Sequence, residues 1–301
     1  MIRLEDTSGG AVAAAILFER HRQGSTATGM VLTMLILTDE EHQSDATSGA
    51  VFAARQHPMR IVTVIPKPGG VGHTLDAEIA VGGDDGPGEV AVLRLRGELA
   101  EHANSVVIPL LLSDTPVVAF WPVSAPDVPA DSAIGRHAQR RITDTANSAD
   151  PLADLVQRGR GYRPGDTDLA WSRLTPWRSI LAAAFDQPTG AVSGGTITAE
   201  RDNPSAALLA TWLQIRLRTS VDIEWTDHSG IQSIHLSTNN GEMAITRPDG
   251  VTATLVRSGV PDALISLPRR DLTTLLNEEL RRLNPDDVYG RVIRTYAGLS
   301  L

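Results

Sequence analysis

The segment 164–178, Pro-Gly-Asp-Thr-Asp-Leu-Ala-Trp-Ser-Arg-Leu-Thr-Pro-Trp-Arg, holds the residues whose types and spacing best suggest chemistry. Asp166 and Asp168 stand two residues apart, and paired carboxylates are used in general acid–base catalysis. The simpler interpretation is that Asp168, or the threonine before it, caps a short helix. Trp171 and Trp177 follow, and tryptophan is enriched both at binding hot spots and in protein cores. We expect the tryptophans to be buried, with contact to a partner as the alternative.

Several catalytic chemistries are excluded by residues that the chain lacks. It has no cysteine, which rules out disulfides, thiolate nucleophiles and cysteine-based zinc sites. The single lysine, Lys67, lies in Pro-Lys-Pro-Gly and cannot serve a phosphate-binding P-loop. The eight histidines show neither His-x-x-x-His nor His-Glu-x-x-His spacing, so we expect no metal site. The Gly-x-Ser-x-Gly pattern of serine hydrolases is also missing.

The charge balance disfavours nucleic acid as a partner. The chain has 301 residues and a formal net charge of −9, whereas nucleic-acid-binding domains are usually basic. Residues 1–150 carry most of the acidic excess, and residues 151–301 are nearly balanced and rich in arginine. The strongest apolar run, residues 30–37, is too short to cross a bilayer. We expect a cytoplasmic protein.

Residues 1–160 are predicted to form an N-terminal α/β domain. A first helix is expected over residues 9–22, with Val12, Ile16 and Glu19 on one face. The following pattern reads strand, helix, strand, strand, strand, helix and strand, which favours a mixed β-sheet covered by helices. The domain is only loosely Rossmann-like, because the Gly-x-Gly-x-x-Gly fingerprint fails where Leu75 stands in place of its third glycine.

Residues 161–301 are predicted to form a C-terminal α+β domain. Thr175 is expected to cap a helix, and a second helix is expected to begin at Asn203-Pro204. Short strands separated by Ser-Gly, Asn-Gly and Asp-Gly turns predict an antiparallel meander. These strands are Val221–Thr226, Ile231–Thr238, Glu242–Thr246 and Thr252–Arg257. Two further helices are expected to close the chain.

Long blocks of the chain resemble the glucose-6-phosphate dehydrogenase assembly protein family OpcA of actinobacteria. The likeness extends over nearly the whole chain and is weaker in the first 25 residues and the C-terminal tail. The blocks that carry it are residues 164–178, Leu75–Asp84, Glu89–Gly97, Ser105–Pro122 and Arg140–Asp144.

The resemblance implies a non-catalytic protein without a cofactor. It implies that the chain binds glucose-6-phosphate dehydrogenase, of the oxidative pentose phosphate pathway, and promotes its assembly or activity. The family offers no catalytic residues, so contact residues are chosen for their chemistry. The first choices are Trp171, Arg173, Trp177 and Arg178, and the second choices are Trp121 and Arg140. Cyanobacterial relatives are linked to thiol redox control, which this chain cannot perform with its own residues.

Three alternatives stay open from the sequence. The chain could be a nucleotide- or sugar-phosphate-binding protein or enzyme on its Rossmann-like domain, although the missing glycine fingerprint argues against this. It could be a structural module for some other protein. Finally, Arg140 belongs to a cluster with Arg136 and Arg141 that could hold a phosphate or carboxylate, although pairing with Asp131 or Asp144 is the simpler expectation.

Overall fold

A computed structural model describes residues 1–22, 29–69, 72–82, 88–186 and 190–299 of the protein. Within these residues the strands are β1 (Ile2–Leu4), β2 (Leu32–Leu37), β3 (Met59–Lys67), β4 (Leu75–Val81), β5 (Glu89–Arg96), β6 (Val117–Trp121), β7 (Arg140–Thr143), β8 (Asp166–Asp168), β9 (Val192–Glu200), β10 (Val221–Thr226), β11 (Ile231–Thr238), β12 (Gly241–Thr246), β13 (Thr252–Arg257) and β14 (Val260–Ser266). The helices are α1 (Gly9–Arg22), α2 (Gln43–Ala53), α3 (Ala103–Val107), α4 (Pro151–Arg160), α5 (Leu169–Ser172), α6 (Thr175–Phe185), α7 (Pro204–Leu217), α8 (Leu272–Arg281) and α9 (Asp287–Tyr296).

The chain divides into two compact units. The first unit comprises Met1–Thr143, Gly165–Thr167 and Leu272–Pro285. The second unit comprises Asp144–Pro164, Asp168–Asp271 and Asp286–Leu301. The units are interleaved in sequence, because α8 belongs to the first unit and α9 to the second. The predicted division into domains 1–160 and 161–301 stays a prediction.

The first unit is built on one mixed sheet, as predicted. Its described strands lie in the order β1-β4-β5-β3-β2-β6-β7-β8. The pairs β5–β3, β3–β2, β2–β6 and β6–β7 are parallel, while β4 pairs antiparallel with β5 and with β1. The central strands β2 and β6 are almost wholly buried, as parallel strands covered on both faces require. Strand β1 was not predicted, since three residues are too few to show a period.

The sequence predicts the later of the two helices in this pattern over residues 98–112, but this helix is broken in the structure. Residues 97–102 form a 3₁₀ turn, α3 follows, and residues 108–110 form a second 3₁₀ turn. Pro109 explains the final break, because proline has no N–H with which to continue an α-helix.

The second unit contains a sheet in which most neighbours are antiparallel. Its described strands lie in the order β10-β9-β11-β12-β13-β14. Strands β11 to β14 form the predicted type of meander, extended by the unpredicted β14. The prediction that β10 pairs with β11 was wrong. Helix α7 carries the chain from β9 across to β10, so β10 pairs parallel with β9 at the edge of the sheet.

Replacement of Gly165 is expected to damage the first unit for two separate reasons, its backbone conformation and the lack of space for a Cβ. Its φ of +97° lies outside the range that other residues adopt easily, and a Cβ would lie 2.4 Å from the carbonyl oxygen of Gln139. We expect Gly165→Ala to lower the free energy of unfolding by about 2 kcal/mol or more. Urea denaturation measures this, with Gly10→Ala as the control, since a Cβ at Gly10 meets no atom within 4 Å. Equal stability of the two variants would contradict the prediction.

Candidate functional site

Trp171 lies at the centre of a cluster of aromatic and charged side chains in the second unit. Only 1% of its surface is exposed, and its indole Nε1 donates to Oδ2 of Asp286 at 2.9 Å. The Arg178 guanidinium stacks 3.7 Å from the centre of the Trp171 ring system, and Tyr289 packs at 5.9 Å from it. We call these four residues the tryptophan cluster. Trp171 is therefore a core residue, and the guanidinium cation of Arg178 lies against one face of its ring.

The other partner-contact candidates of this segment are Arg173 and Trp177. Both guanidinium Nη atoms of Arg173 donate to the Asp144 carboxylate, at 2.6 and 2.8 Å, and 30% of the arginine side chain stays exposed. Trp177 is buried in α6, with the Arg247 guanidinium 4.9 Å from its ring centre. Burial of both tryptophans confirms the simpler expectation for them. Arg173 and Arg178 are the members of this set that reach the surface of the unit.

Local sequence explains why these side chains are held in place. Asp168 caps α5 by accepting from the Ala170 N–H at 2.8 Å, as predicted. Thr175 was predicted to cap α6, but it is the first residue of that helix. Its hydroxyl instead accepts from Nη2 of Arg178 at 2.9 Å, which fixes the arginine over the indole. Thr175 therefore positions the Arg178 guanidinium and does not cap the helix.

The two second-choice candidates lie in the first unit. Trp121 is buried in β6, and Arg140 is buried in β7. Arg140 forms an ion pair with Glu279, and its Nη1 donates to the Asn284 carbonyl at 3.0 Å. Pairing within the molecule was predicted correctly for Arg140, but the expected partners were wrong. Asp144, one of those partners, binds Arg173 instead. The structure thus places the six candidates in two different units, and contact with a partner stays a prediction for all of them.

Asp166 and Asp168, the paired aspartates of segment 164–178, have structural roles. Asp166 forms an ion pair with Arg141. Asp168 is fully buried and accepts from both the N–H and the hydroxyl of Thr145, each at 3.1 Å, in addition to its cap bond. Both carboxylates are thus buried and engaged by groups of the protein itself, which favours a structural role over acid–base catalysis.

The parallel strands of the first unit allow comparison with Rossmann proteins, in which the strand order determines where a dinucleotide binds. The strand order reverses at β2, and ligands of such sheets bind beyond the carboxyl end of the strand at that point. Here the turn after β2 reads Thr38-Asp39-Glu40-Glu41-His42 and carries three carboxylates. A hydrogen bond from Lys67, with Arg94 adding to it, lowers the pKa of Glu40 and keeps it charged. This acidic turn stands where a Rossmann protein has the glycine-rich loop that approaches a pyrophosphate, so the local sequence disfavours a dinucleotide.

Sequence reasoning missed three residues that organise the second unit. Asp286 caps α9, and its Oδ2 also accepts from the Trp171 indole N–H, a contact that no local pattern indicates. Asp144 was assigned to the wrong arginine. Arg247, at the end of β12, gave no signal, since a lone arginine beside a turn is usually solvated. Among the described residues, no three His, Asp or Glu side chains are grouped closely enough to bind a metal ion.

The two sheets define the class to which this chain belongs, a Rossmann-like α/β unit with a second, mostly antiparallel α+β unit. An oxidoreductase from Sinorhizobium meliloti has a similar fold, with a TM-score of 0.51 and 8% identity over 89% of this chain and 96% of that one. At this identity the likeness shows the fold alone.

Sequence comparison then gives the family. Residues 50–160 match a family model described as the N-terminal domain of a glucose-6-phosphate dehydrogenase subunit. Residues 164–293 match a second model, described as the C-terminal domain of the same subunit. Both are OpcA models and together they match most of the chain. The chain belongs to the OpcA family, which confirms the resemblance read from the sequence.

Curated relatives carry the same family name. A "Putative OxPP cycle protein OpcA" from Nostoc punctiforme is 27% identical and matches 96% of this chain. A protein of the same description from Synechocystis is 28% identical over 49% of this chain. The chain spans 68% of the Nostoc protein and 33% of the Synechocystis protein. Both relatives are cyanobacterial, so an actinobacterial origin stays a prediction. No helix in the described part of the chain is both long and apolar enough to span a membrane.

Proposed function

We propose that this protein is a non-catalytic partner of glucose-6-phosphate dehydrogenase that promotes the assembly or activity of the enzyme. The observation that carries the proposal is the pair of family matches, each described as a domain of a subunit of that dehydrogenase. A partner raises activity only if it binds the active or assembled state more tightly than the inactive one. We also propose a cytoplasmic location, where the oxidative pentose phosphate pathway operates.

The geometry supports a partner more than an enzyme. Of the two buried carboxylates in segment 164–178, that of Asp166 forms an ion pair and that of Asp168 caps a helix. The turn after β2 carries acidic side chains where a dinucleotide-binding protein has a glycine-rich loop that presents backbone N–H groups. A nucleotide-binding enzyme on the Rossmann-like unit, the alternative from the sequence, is therefore not favoured.

For the contact surface, we propose that Arg173 and Arg178 touch the dehydrogenase directly. Both reach the surface of the second unit, and arginine is enriched at binding hot spots. The buried candidates Trp171 and Trp177 would act by holding these arginines in place. Trp121 and Arg140, buried in the first unit, would act by supporting that unit.

Gel filtration of the chain mixed with purified glucose-6-phosphate dehydrogenase tests the proposal. We expect one co-eluting complex and a change in the enzyme's kinetic parameters, with no turnover by the chain alone. Separate elution together with unchanged kinetics would refute the partnership. We expect Arg178→Ala to weaken binding by about tenfold, the loss of one hydrogen-bonded charge at an interface.

The control for Arg178→Ala is Arg216→Ala, which removes an exposed arginine from α7 of the same unit. It should leave affinity unchanged. Circular dichroism and thermal unfolding of both variants establish that each is folded. If a folded Arg178→Ala binds as tightly as the unaltered protein, the proposed surface is wrong even though the partner is right.

A further inference from the structure

A cavity of about 250 Å³ lies in the second unit, between the start of α6, the start of α7 and the turns that end β10, β12 and β14. One wall is apolar and includes the buried side chains of Trp177, Leu174 and Leu267. The remaining lining is strongly basic. It contains Arg173, Arg247, Arg269 and Arg270, against Glu200 as the one acidic residue among the described residues of the lining. We call this space the arginine cavity.

The positive charge is not neutralised evenly around the cavity. Asp144 matches the charge of Arg173, and Arg270 donates to the Ser172 carbonyl at 2.6 Å. Glu200 also lines the cavity, and its carboxylate accepts the N–H of Gly230, another lining residue, at 2.8 Å. Within the described part of the chain, Arg247 and Arg269 have no carboxylate within 4.0 Å. Arg247 and Arg269 are therefore two cations of the lining that no carboxylate of the described residues pairs with.

Arg247 is an unusual arginine because it is buried without an acid. Only 6% of the residue is exposed. Its Nη1 and Nη2 donate to the carbonyls of Leu267 and Ile231, each at 3.0 Å, while Nε has no hydrogen-bond partner among the described residues. Burying a charged donor without an acceptor costs free energy, and such groups in native proteins call for an explanation.

Arg269 adds a second cation beside Arg247. A Cβ built on Gly230 would lie 3.5 Å from Nε of Arg269 and 3.6 Å from Nη2 of Arg247, so the two guanidinium groups flank the same glycine. Burial, and then the charge of Arg269, lowers the pKa of Arg247. Two like charges held together in a partly desolvated space form a ready site for an anion.

The start of α7 increases this preference. Asn203 and Ser205, in the first turn of the helix, line the same cavity. Helix α7 has 14 residues, and its amino end adds positive potential from the peptide dipoles.

We propose that the arginine cavity binds the phosphate group of a small phosphorylated metabolite. Arg247 and Arg269 donate to the phosphate oxygens, and the apolar wall around Trp177 contacts the carbon skeleton. Ligand pockets usually measure about 300–1,000 Å³, so this cavity suits a compound of about monosaccharide size and not a dinucleotide. The site lies within the second unit, and binding to it does not depend on the dehydrogenase.

Calorimetric titration of the full chain tests the site with three probes, namely inorganic phosphate, a hexose 6-phosphate and the same hexose without phosphate. We expect saturable binding of both phosphates, tighter for the hexose phosphate, and none of the free hexose. Binding of inorganic phosphate without the hexose phosphate would overturn the assignment to a metabolite. The absence of saturable binding by either phosphate would overturn the site itself.

A matched pair of variants locates the binding. Arg269→Gln removes an exposed cation from the cavity, and Arg216→Gln removes one from the exposed side of α7, outside the lining. We expect the first to weaken phosphate binding by about tenfold or more and the second to leave it unchanged. Equal affinity of the two variants would place the anion elsewhere and refute the proposal. Arg247→Gln should abolish binding, and Arg269→Gln still decides the question if that variant does not fold.

Discussion

Replacing Trp171 by alanine is expected to lower the free energy of unfolding by about 3–5 kcal/mol, the usual cost of removing a large buried aromatic side chain. Trp171 is 1% exposed and packs on Tyr289. Its loss would leave a cavity in the second unit and remove the aromatic ring against which the Arg178 guanidinium stacks. It would also remove the N–H that donates to Oδ2 of Asp286. Chemical denaturation followed by circular dichroism measures the change.

Two matched variants separate packing from hydrogen bonding at this position. Trp171→Phe keeps an aromatic ring but loses the N–H, so we expect a smaller cost of about 1.5–3 kcal/mol, that of a hydrogen bond to a charged group. Trp225→Ala removes a tryptophan that is only partly buried in β10 and should cost less than Trp171→Ala. If Trp171→Ala is no more damaging than Trp225→Ala, the central place of the tryptophan cluster is wrong.

Removing one partner of the Arg140–Glu279 ion pair is the second change with a large expected effect. Both residues are 5% exposed. Arg140→Ala would leave the carboxylate of Glu279 buried without its cation, and such single removals typically cost about 3–5 kcal/mol. Most of that cost is the desolvation of a carboxylate that has lost the attraction of Arg140. Urea denaturation of the variant measures it.

The double variant gives this prediction its sharpest test. Replacing both partners, as Arg140→Met with Glu279→Leu, removes the buried charges together, and we expect it to be more stable than Arg140→Ala alone. The exposed pair of Arg3 and Glu78 is the surface control, where Arg3→Ala should cost less than about 1 kcal/mol. A double variant as unstable as Arg140→Ala would show that the cost does not come from an unpaired charge.

Elements with a clear period were predictable from sequence. Helix α1 spans the expected residues 9–22 and buries the expected Val12, Ile16 and Glu19. Strand β4 alternates buried and half-buried residues along its whole length, as its apolar and polar residues alternate in sequence. These signals are local, because each depends on residues within one element.

Elements defined by distant pairing could not be predicted in the same way. Strand β1 exists because it pairs with β4, and β10 lies beside β9 because α7 lies between them in the chain. The site follows the same rule. Trp171 was singled out by its neighbours, but its hydrogen-bond partner Asp286 lies 115 residues further along the chain. The arginine cavity likewise joins turns that are far apart in sequence, and no local pattern marks it.

Steady-state kinetics tests most directly the proposal that the protein acts on glucose-6-phosphate dehydrogenase without chemistry of its own. The initial rate of the dehydrogenase is measured while this chain is added at rising concentration, with the chain alone as the blank. We predict a saturable change in kcat or KM that ends at a fixed ratio of the two proteins, and no turnover in the blank. A rate that is independent of the added chain, or turnover by the chain alone that a single cleft substitution abolishes, would contradict the account.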